Sequence, residues 1–296
     1  MSDYLSCQQT AKLLGVSRST VKRMCDGGEF ASVRTPGGHR RIPAAAVKRW
    51  IGEHGLRIDA DCGPKRRSIN LSATSVVEHL RKGEIKQLFE KLANKSRGES
   101  THGRVFDDII APAMWEVGDR WERGEMDVFE EHLCTQAVNE VLRQVKQTLD
   151  ETITPADQSG IPPIAIGCAV GGEMHEVASA MIEIVLRQRG WSAHSLGSII
   201  PVDSLIAAIN DFEPQLVWIS YTCIQNPETA YRDSEKVFAA LKPNQHLVIG
   251  GQALTASHRR NLKFHFMGDS LDHVIRFSDL LLSGHHQQGA DASKAG

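Results

Sequence analysis

The stretch Gly171-Gly172-Glu173-Met174-His175-Glu176-Val177-Ala178 places a histidine two residues after a glutamate in a glycine-containing connection. An imidazole so placed has the chemistry of a metal ligand, and a carboxylate near its second nitrogen can orient it. An apolar run over 164–170 precedes the stretch and an amphipathic pattern over 177–188 follows it. This predicts strand, loop and helix, with His175 at the carboxyl end of the strand, where open α/β sheets bind ligands. One loop histidine is weak evidence alone, so its role depends on what the rest of the chain supplies.

Two other groups carry chemistry. Trp121 is followed, after nine intervening residues, by Glu131-His132. Helical spacing from Phe129 puts His132 at the edge of an apolar face. Taken alone, a tryptophan in a helical bundle is core and a Glu-His pair is solvated surface; Trp115 is assigned to the core. Ser220 and Thr222 close the apolar run that starts at Leu216, and Gly250-Gly251 closes the run that starts at His246. Small residues at strand ends let a backbone approach a ligand closely.

The elements that must position these groups fall into two patterns. Over 74–150 the apolar spacing is helical, as in Val76, Val77 and Leu80 or Ile109, Ile110, Met114 and Val117, and predicts a four-helix up-and-down bundle. Over 160–284 short apolar runs alternate with helices. Strands are expected at 164–170, 191–196, 216–221 and 246–250, with a fifth at 264–267. Helices are expected at 175–189, 202–212, 228–241 and 270–282. This is a flavodoxin-like, Rossmann-like doubly wound unit. Residues 285–296 read as a disordered tail.

The N-terminal residues 1–55 form a third pattern. Ser6 and Gln9 make a capping box for a short helix stopped at Gly15. Ser17 caps a second helix carrying Arg18, Ser19, Thr20, Lys22 and Arg23, with Val21 and Met24 facing inward. Val33 to Ile42 reads as two short strands around Gly37-Gly38, a basic wing with His39, Arg40 and Arg41; Pro43 opens a third helix. Helix, turn and capped second helix is a helix-turn-helix, whose second helix enters the major groove. Residues 56–73, with Gly63-Pro64 and Lys65-Arg66-Arg67, read as a linker that leaves the head free to move.

Whole-chain quantities agree with this division. At 296 residues, 41% hydrophobic and 24% charged, the chain has the composition of a folded protein of two or three units. The net charge of −2 conceals an asymmetry, because nine basic and four acidic residues through His54 give +5 and leave −7 for the remainder. A basic head on an acidic body suggests a polyanion-binding module joined to something else. No run of about 18 apolar residues exists and the first residues lack a signal-peptide pattern, so a cytoplasmic protein is expected. Six cysteines without a CxxC pair indicate neither a disulfide framework nor a zinc site.

The head resembles the winged-helix domain of MerR-type regulators and phage excisionases at Leu13-Leu14-Gly15-Val16-Ser17-Arg18-Ser19-Thr20-Val21 and Thr35-Pro36-Gly37-Gly38-His39-Arg40-Arg41. The resemblance implies phosphate contacts with a salt-dependent affinity and a base contact from Arg18 or Arg23. A module this small implies a dimer or higher oligomer on a double-stranded operator. Trp121, Glu131 and His132 match the helical cap of cobalamin-binding photoreceptor repressors, the CarH-like members of the MerR family. Glu173-x-His175 with Ser220, Thr222, Gly250 and Gly251 resembles the cobalamin-binding fold shared by methionine synthase, corrinoid methyltransferases and those repressors.

On that resemblance the cap covers the upper face of adenosylcobalamin and Trp121 packs on the adenosyl group. His175 is the lower axial ligand to cobalt, and Glu173 orients it. Ser220, Thr222, Gly250 and Gly251 line a slot for the displaced nucleotide tail. The implied function is a light-responsive transcriptional repressor that changes oligomeric state and DNA binding when the cobalt–carbon bond breaks, and it is not an enzyme. Two alternatives stay open: a regulator sensing cobalamin or another tetrapyrrole without light, and a corrinoid-dependent methyltransferase module. Three departures bear on the choice. Ala178 stands where the family has glycine, Ile199 where relatives often have aspartate, and Glu122 where some light-sensing relatives have a histidine that ligates cobalt after photolysis.

Overall fold

The computed structural model describes residues 4–14, 21–22, 24–25, 28, 30–34, 40–54, 56–57, 72–84, 86–88, 90, 102–152, 161–170 and 175–292. In the head, β1 (Tyr4–Ser6) leads directly into α1 (Cys7–Leu14). The capping box forms as expected: Ser6 Oγ accepts from Gln9 N at 3.1 Å and Gln9 Oε1 from Ser6 N at 2.8 Å. The wing is β2 (Val33–Arg34) paired antiparallel with β3 (Arg40–Pro43), and α2 (Ala44–His54) follows. β1 was not expected, and it pairs with the other edge of β3, Leu5 opposite Ile42. Val21, Met24, Phe30, Ile42 and Val47 are buried beneath it, with the Phe30 and Trp50 rings 5.7 Å apart.

The segment expected to be a linker starts as structure. β4 (Leu56–Arg57) adds in parallel to the α/β sheet, Leu56 opposite Phe266 and Arg57 opposite Met267. The linker residues Lys65, Arg66 and Arg67 lie outside the described residues. Ser72 caps α3 (Ala73–Arg81) by accepting from Ser75 N at 3.2 Å.

In the cap, α4 (His102–Val105) passes through a π-helical turn (Phe106–Ile110) into α5 (Ala111–Glu122), and α6 (Val128–Thr152) follows. Pro112 explains the turn. It has no N–H for the carbonyl of Asp108 and its ring crowds that carbonyl, so the preceding turn widens and Ala111 N bonds back to Phe106 O. Val76, Val77, Leu80, Val105, Ile109, Val117, Val138 and Val141 are buried on the facing stripes, as their spacing predicts. Trp115 departs from expectation. It is 51% exposed, because the inward stripe of α5 runs through Ala113 and Val117 and leaves position 115 on the outside.

The C-terminal unit alternates β5 (Ile164–Ala169), α7 (Val177–Gln188), β6 (Ser192–Ser195), α8 (Val202–Phe212), β7 (Leu216–Ser220), α9 (Pro227–Ala240), β8 (His246–Gly250), α10 (Ala256–Asn261), β9 (Phe266–Gly268) and α11 (Leu271–Ala292). The strand order is β4-β9-β8-β7-β5-β6, every pair parallel. Without β4 this is the flavodoxin-like order, with its switch point between β5 and β7. Two details differ from the sequence reading: α10 is an added short helix, and α11 continues through Ala292, so 285–292 is helix and not disordered tail. Among the described residues no helix is long and apolar enough to cross a membrane.

The cap is fastened to this unit by charge. Lys146 Nζ lies 2.6 Å and Arg187 Nε 3.6 Å from Oε1 of Glu183, whose side chain is 7% exposed, and Arg187 also bonds Asp150. Asp107, in the π turn, accepts from Leu271 N at 2.8 Å and Asp272 N at 3.1 Å, and so caps α11.

One half-buried histidine makes the unit acid-sensitive. His265 Nδ1 accepts from Leu247 N at 3.0 Å and its ring stacks on Phe238 at 4.5 Å; burial lowers its pKa from 6.5 to about 4. A second proton would have to sit on the nitrogen already receiving a backbone N–H. The unfolded chain takes up that proton near pH 6.5, so the stability His265 contributes is complete above that pH and is lost as pH falls toward 4. Partial exposure of the ring reduces the effect to on the order of 2 kcal/mol. Urea midpoints measured from pH 7 to pH 4 should fall, and His265→Gln should flatten that slope.

Candidate cofactor crevice and nucleic-acid interface

His175 is exposed and stands just before α7, past the carboxyl end of β5 and next to the switch point. Glu173, with Gly171, Gly172 and Met174, lies outside the described residues. Glu176 begins α7 without a side-chain cap, and its Oε1 instead accepts from Asn139 Nδ2 of the cap at 3.3 Å.

That contact sets how α6 runs relative to His175. Asn139 meets Glu176, Lys146 meets Glu183 and Asp150 meets Arg187, so α6 and α7 run side by side in the same direction. The half of α6 before Asn139 therefore continues past the start of α7 and beyond the strand ends. His132 is two turns before Asn139 on nearly the same helix face, about 10 Å further along the axis at 1.5 Å per residue. The helix thus runs on past His175, with His132 on nearly the same stripe as Asn139. An open cleft of about 580 Å³ lies between the end of α3, at Leu80, Arg81 and Gly83, and Leu133, Ala137 and Glu140 of α6, with Glu176 also lining it.

This first half of α6 has ordered side chains. Glu131 accepts from Thr135 Oγ1 at 2.8 Å, while His132 Nδ1 lies 2.7 Å from Glu131 Oε2 and 2.9 Å from the Val128 carbonyl. With acceptors on that side the neutral ring carries its proton on Nδ1 and its lone pair on Nε2. Trp121, in the last turn of α5, is 52% exposed, and Val128, Phe129 and Leu133 of α6 are also exposed. Apolar side chains gathered at one end of a bundle mark a binding surface. Glu122 is exposed beside them.

The opposite wall is at β7 and β8. Ser220 is 1% exposed, and its Oγ is buried with no hydrogen-bond partner among the described residues. Thr222 follows two residues on, half-buried. The glycines have a nearer explanation than a ligand. A Cβ on Gly250 would sit 2.6 Å from the Gly268 carbonyl, and one on Gly251, at φ 121°, would sit 2.1 Å from the Tyr221 carbonyl. The chain's own backbone already requires both.

Ile199 also changes meaning. It holds φ at 56° while 56% exposed, in the loop after β6 that meets Val170 through Ile200. A β-branched side chain is strained in the left-handed region, which Asn and Asp tolerate. Ile199→Asn should raise stability by about 1 kcal/mol in urea unfolding; an unchanged or lower midpoint would show that the strain is relieved elsewhere.

Among the described residues no three His, Cys, Asp or Glu are grouped closely enough to hold a metal. Burial pushes the Cys134 thiol up to about 11 and Cys168 up to about 12, which keeps both as unreactive thiols. Sequence reasoning missed Asn139 and Glu176; an Asn on a helix and a Glu at a helix start carry no local sign that they will meet. On the head, Arg41 and Lys22 are exposed and Arg40 partly so. Arg18, Ser19, Thr20, Arg23 and His39 lie outside the described residues.

Comparison with known proteins follows the same division. The chain matches the helix-turn-helix domain over 4–55 and two B12 binding domains over 74–146 and 163–273. It is 26% identical over 150 residues to the HTH-type transcriptional repressor CarH of Myxococcus xanthus, covering 51% of this chain and 48% of that one. With the repressor CarA of the same organism it is 29% identical over 145 residues, 49% and 46% of the two chains. The dimethylamine corrinoid protein of Methanosarcina barkeri is 24% identical over 129 residues, 44% of this chain and 59% of its own. The chain thus spans about half the length of the curated relatives it matches. The monomethylamine corrinoid protein of Methanosarcina barkeri superposes with a TM-score of 0.56 at 11% identity, over 69% of this chain and 94% of that one, which is a likeness of fold.

Proposed function

We propose that this chain, a relative of the cobalamin-binding MerR-type repressors CarH and CarA that joins a helix-turn-helix domain to B12 binding domains, is a light-responsive repressor that takes adenosylcobalamin. One observation supports the reading most: α6, held to Glu176 through Asn139, runs on past His175, while at the neighbouring strand end the Ser220 hydroxyl is buried with no partner among the described residues. Adenosylcobalamin, when bound, supplies a cobalt–carbon bond that light breaks. The protein's part is to hold and to report. His175 would ligate the metal, with Glu173 as its orienting carboxylate, and Ser220 and Thr222 would hydrogen-bond the cofactor's tail. Trp121, Phe129 and Leu133 exclude water above it, while Glu131 holds His132. Because α6 is clamped to α7 over its second half and runs on past it over its first, a packing change at Trp121 is felt as a force on the cap. Such a local event biases a two-state interface, here the one that sets oligomeric state and operator binding. In the head Arg18, Ser19, Thr20, Lys22, Arg23, His39, Arg40 and Arg41 meet the duplex.

A second reading, a cobalamin sensor without a light response, is favoured by Glu122, a carboxylate where some light-sensing relatives place a histidine. A methyl-transfer module has less support, since the matched corrinoid proteins offer no use for the helix-turn-helix domain. The test is to load the protein with adenosylcobalamin in darkness and follow absorption, size and DNA binding before and after green light. Loss of the cofactor on gel filtration sinks both cobalamin readings. Retention with unchanged size and DNA affinity leaves the sensor that ignores light.

A further inference from the structure

The head is fastened to the body at a place that neither its DNA-binding role nor the crevice explains. The helix-turn-helix match ends at residue 55, and the next two residues form β4, in parallel register on β9, the last strand of the C-terminal unit. That edge would otherwise present unpaired N–H and C=O groups. Just before β4, α2 lies against α11, and α1 touches the same helix. Apolar side chains make the contact continuous: Phe30, Ile42 and Val47 of the head belong to one hydrophobic cluster with Phe277, Leu280 and Leu281 of α11. The remaining contacts of α11 lead inward. It packs on α7, the helix that begins beside His175, and its first turn is capped by Asp107 of the cap.

We propose that β9 and α11 form the receptor surface for the DNA-binding head, with β4 as the clasp that holds the head in one orientation relative to the crevice. The occupant is the chain's own head, identified by strand register and shared apolar burial. Its backbone ladder and helix face are of the kind by which an extended segment adds to an open sheet edge. The head is then a docked part of the body instead of a module on a free tether, and α11 is the element that head, cap and His175 helix all touch. The inference stands on strand register and apolar packing and holds whether or not cobalamin is the ligand.

The experiment uses the full chain without cofactor. Nitrogen-15 relaxation should give amides of β2 and β3 in the head the same rotational correlation time as those of β7. Replacing Leu56 and Arg57 together by proline removes both N–H donors from the clasp. The head correlation time should then fall about threefold while that of β7 stays put. Amide exchange in β9 should rise at least about tenfold with β8 unchanged, which shows the sheet intact. The milder pair Leu56→Val and Arg57→Lys should leave the head docked. A head that tumbles independently in the native chain, or one that stays locked in the proline variant, overturns the proposal.

Discussion

His175→Ala is expected to abolish the histidine-ligated absorption spectrum of bound cobalamin and to weaken cofactor retention at least about tenfold. The expectation rests on position: His175 is an exposed imidazole at the switch point, next to a helix that runs on past it. Equilibrium dialysis and absorption spectra of the loaded protein test it, and an unaltered spectrum would remove His175 from the metal. Ser220→Ala separates the two walls. Its hydroxyl is buried with no partner among the described residues, so its loss should leave the stability of the cofactor-free chain within about 0.5 kcal/mol of native while weakening retention of the cofactor. If both properties stay unchanged, the tail does not reach Ser220.

Gly251→Ala should destabilise the cofactor-free protein by at least about 3 kcal/mol, read as a lowered urea midpoint with the slope kept. A methyl group there meets the Tyr221 carbonyl at 2.1 Å and the Tyr221 nitrogen at 2.8 Å, both backbone atoms of a packed strand end. Yielding would break the bonds from Tyr221 N to the Gly250 carbonyl at 2.8 Å and from Ala253 N to the Tyr221 carbonyl at 3.1 Å. The φ of 121° adds a conformational penalty of its own for any L side chain. A glycine needed only for the approach of a ligand would leave the empty protein's stability untouched, so the measurement separates the two roles.

Much of the molecule was legible in the amino-acid order because the signals are local. The Ser6–Gln9 capping box, the bounds of Val202–Phe212 and His246–Gly250, and the alternation that gives the flavodoxin-like strand order each depend on residues a few positions apart. So did the residues proposed for the site, since an imidazole in a glycine-containing loop, a tryptophan nine intervening residues before a Glu-His pair and small residues at strand ends are matters of residue type and spacing. What packing decided had no such signature. The parallel run of α6 along α7, which carries α6 on past His175, follows from Lys146, Asp150, Glu183 and Arg187, charges that look like a solvated surface until two helices enclose them. Gly250 and Gly251, read as room for a ligand, turn out to be claimed first by Gly268 and Tyr221, because only the folded sheet brings those carbonyls within reach. A two-residue segment such as Leu56–Arg57 has too little pattern to announce a strand, and it becomes one only where β9 offers a row of unpaired backbone groups for it to satisfy.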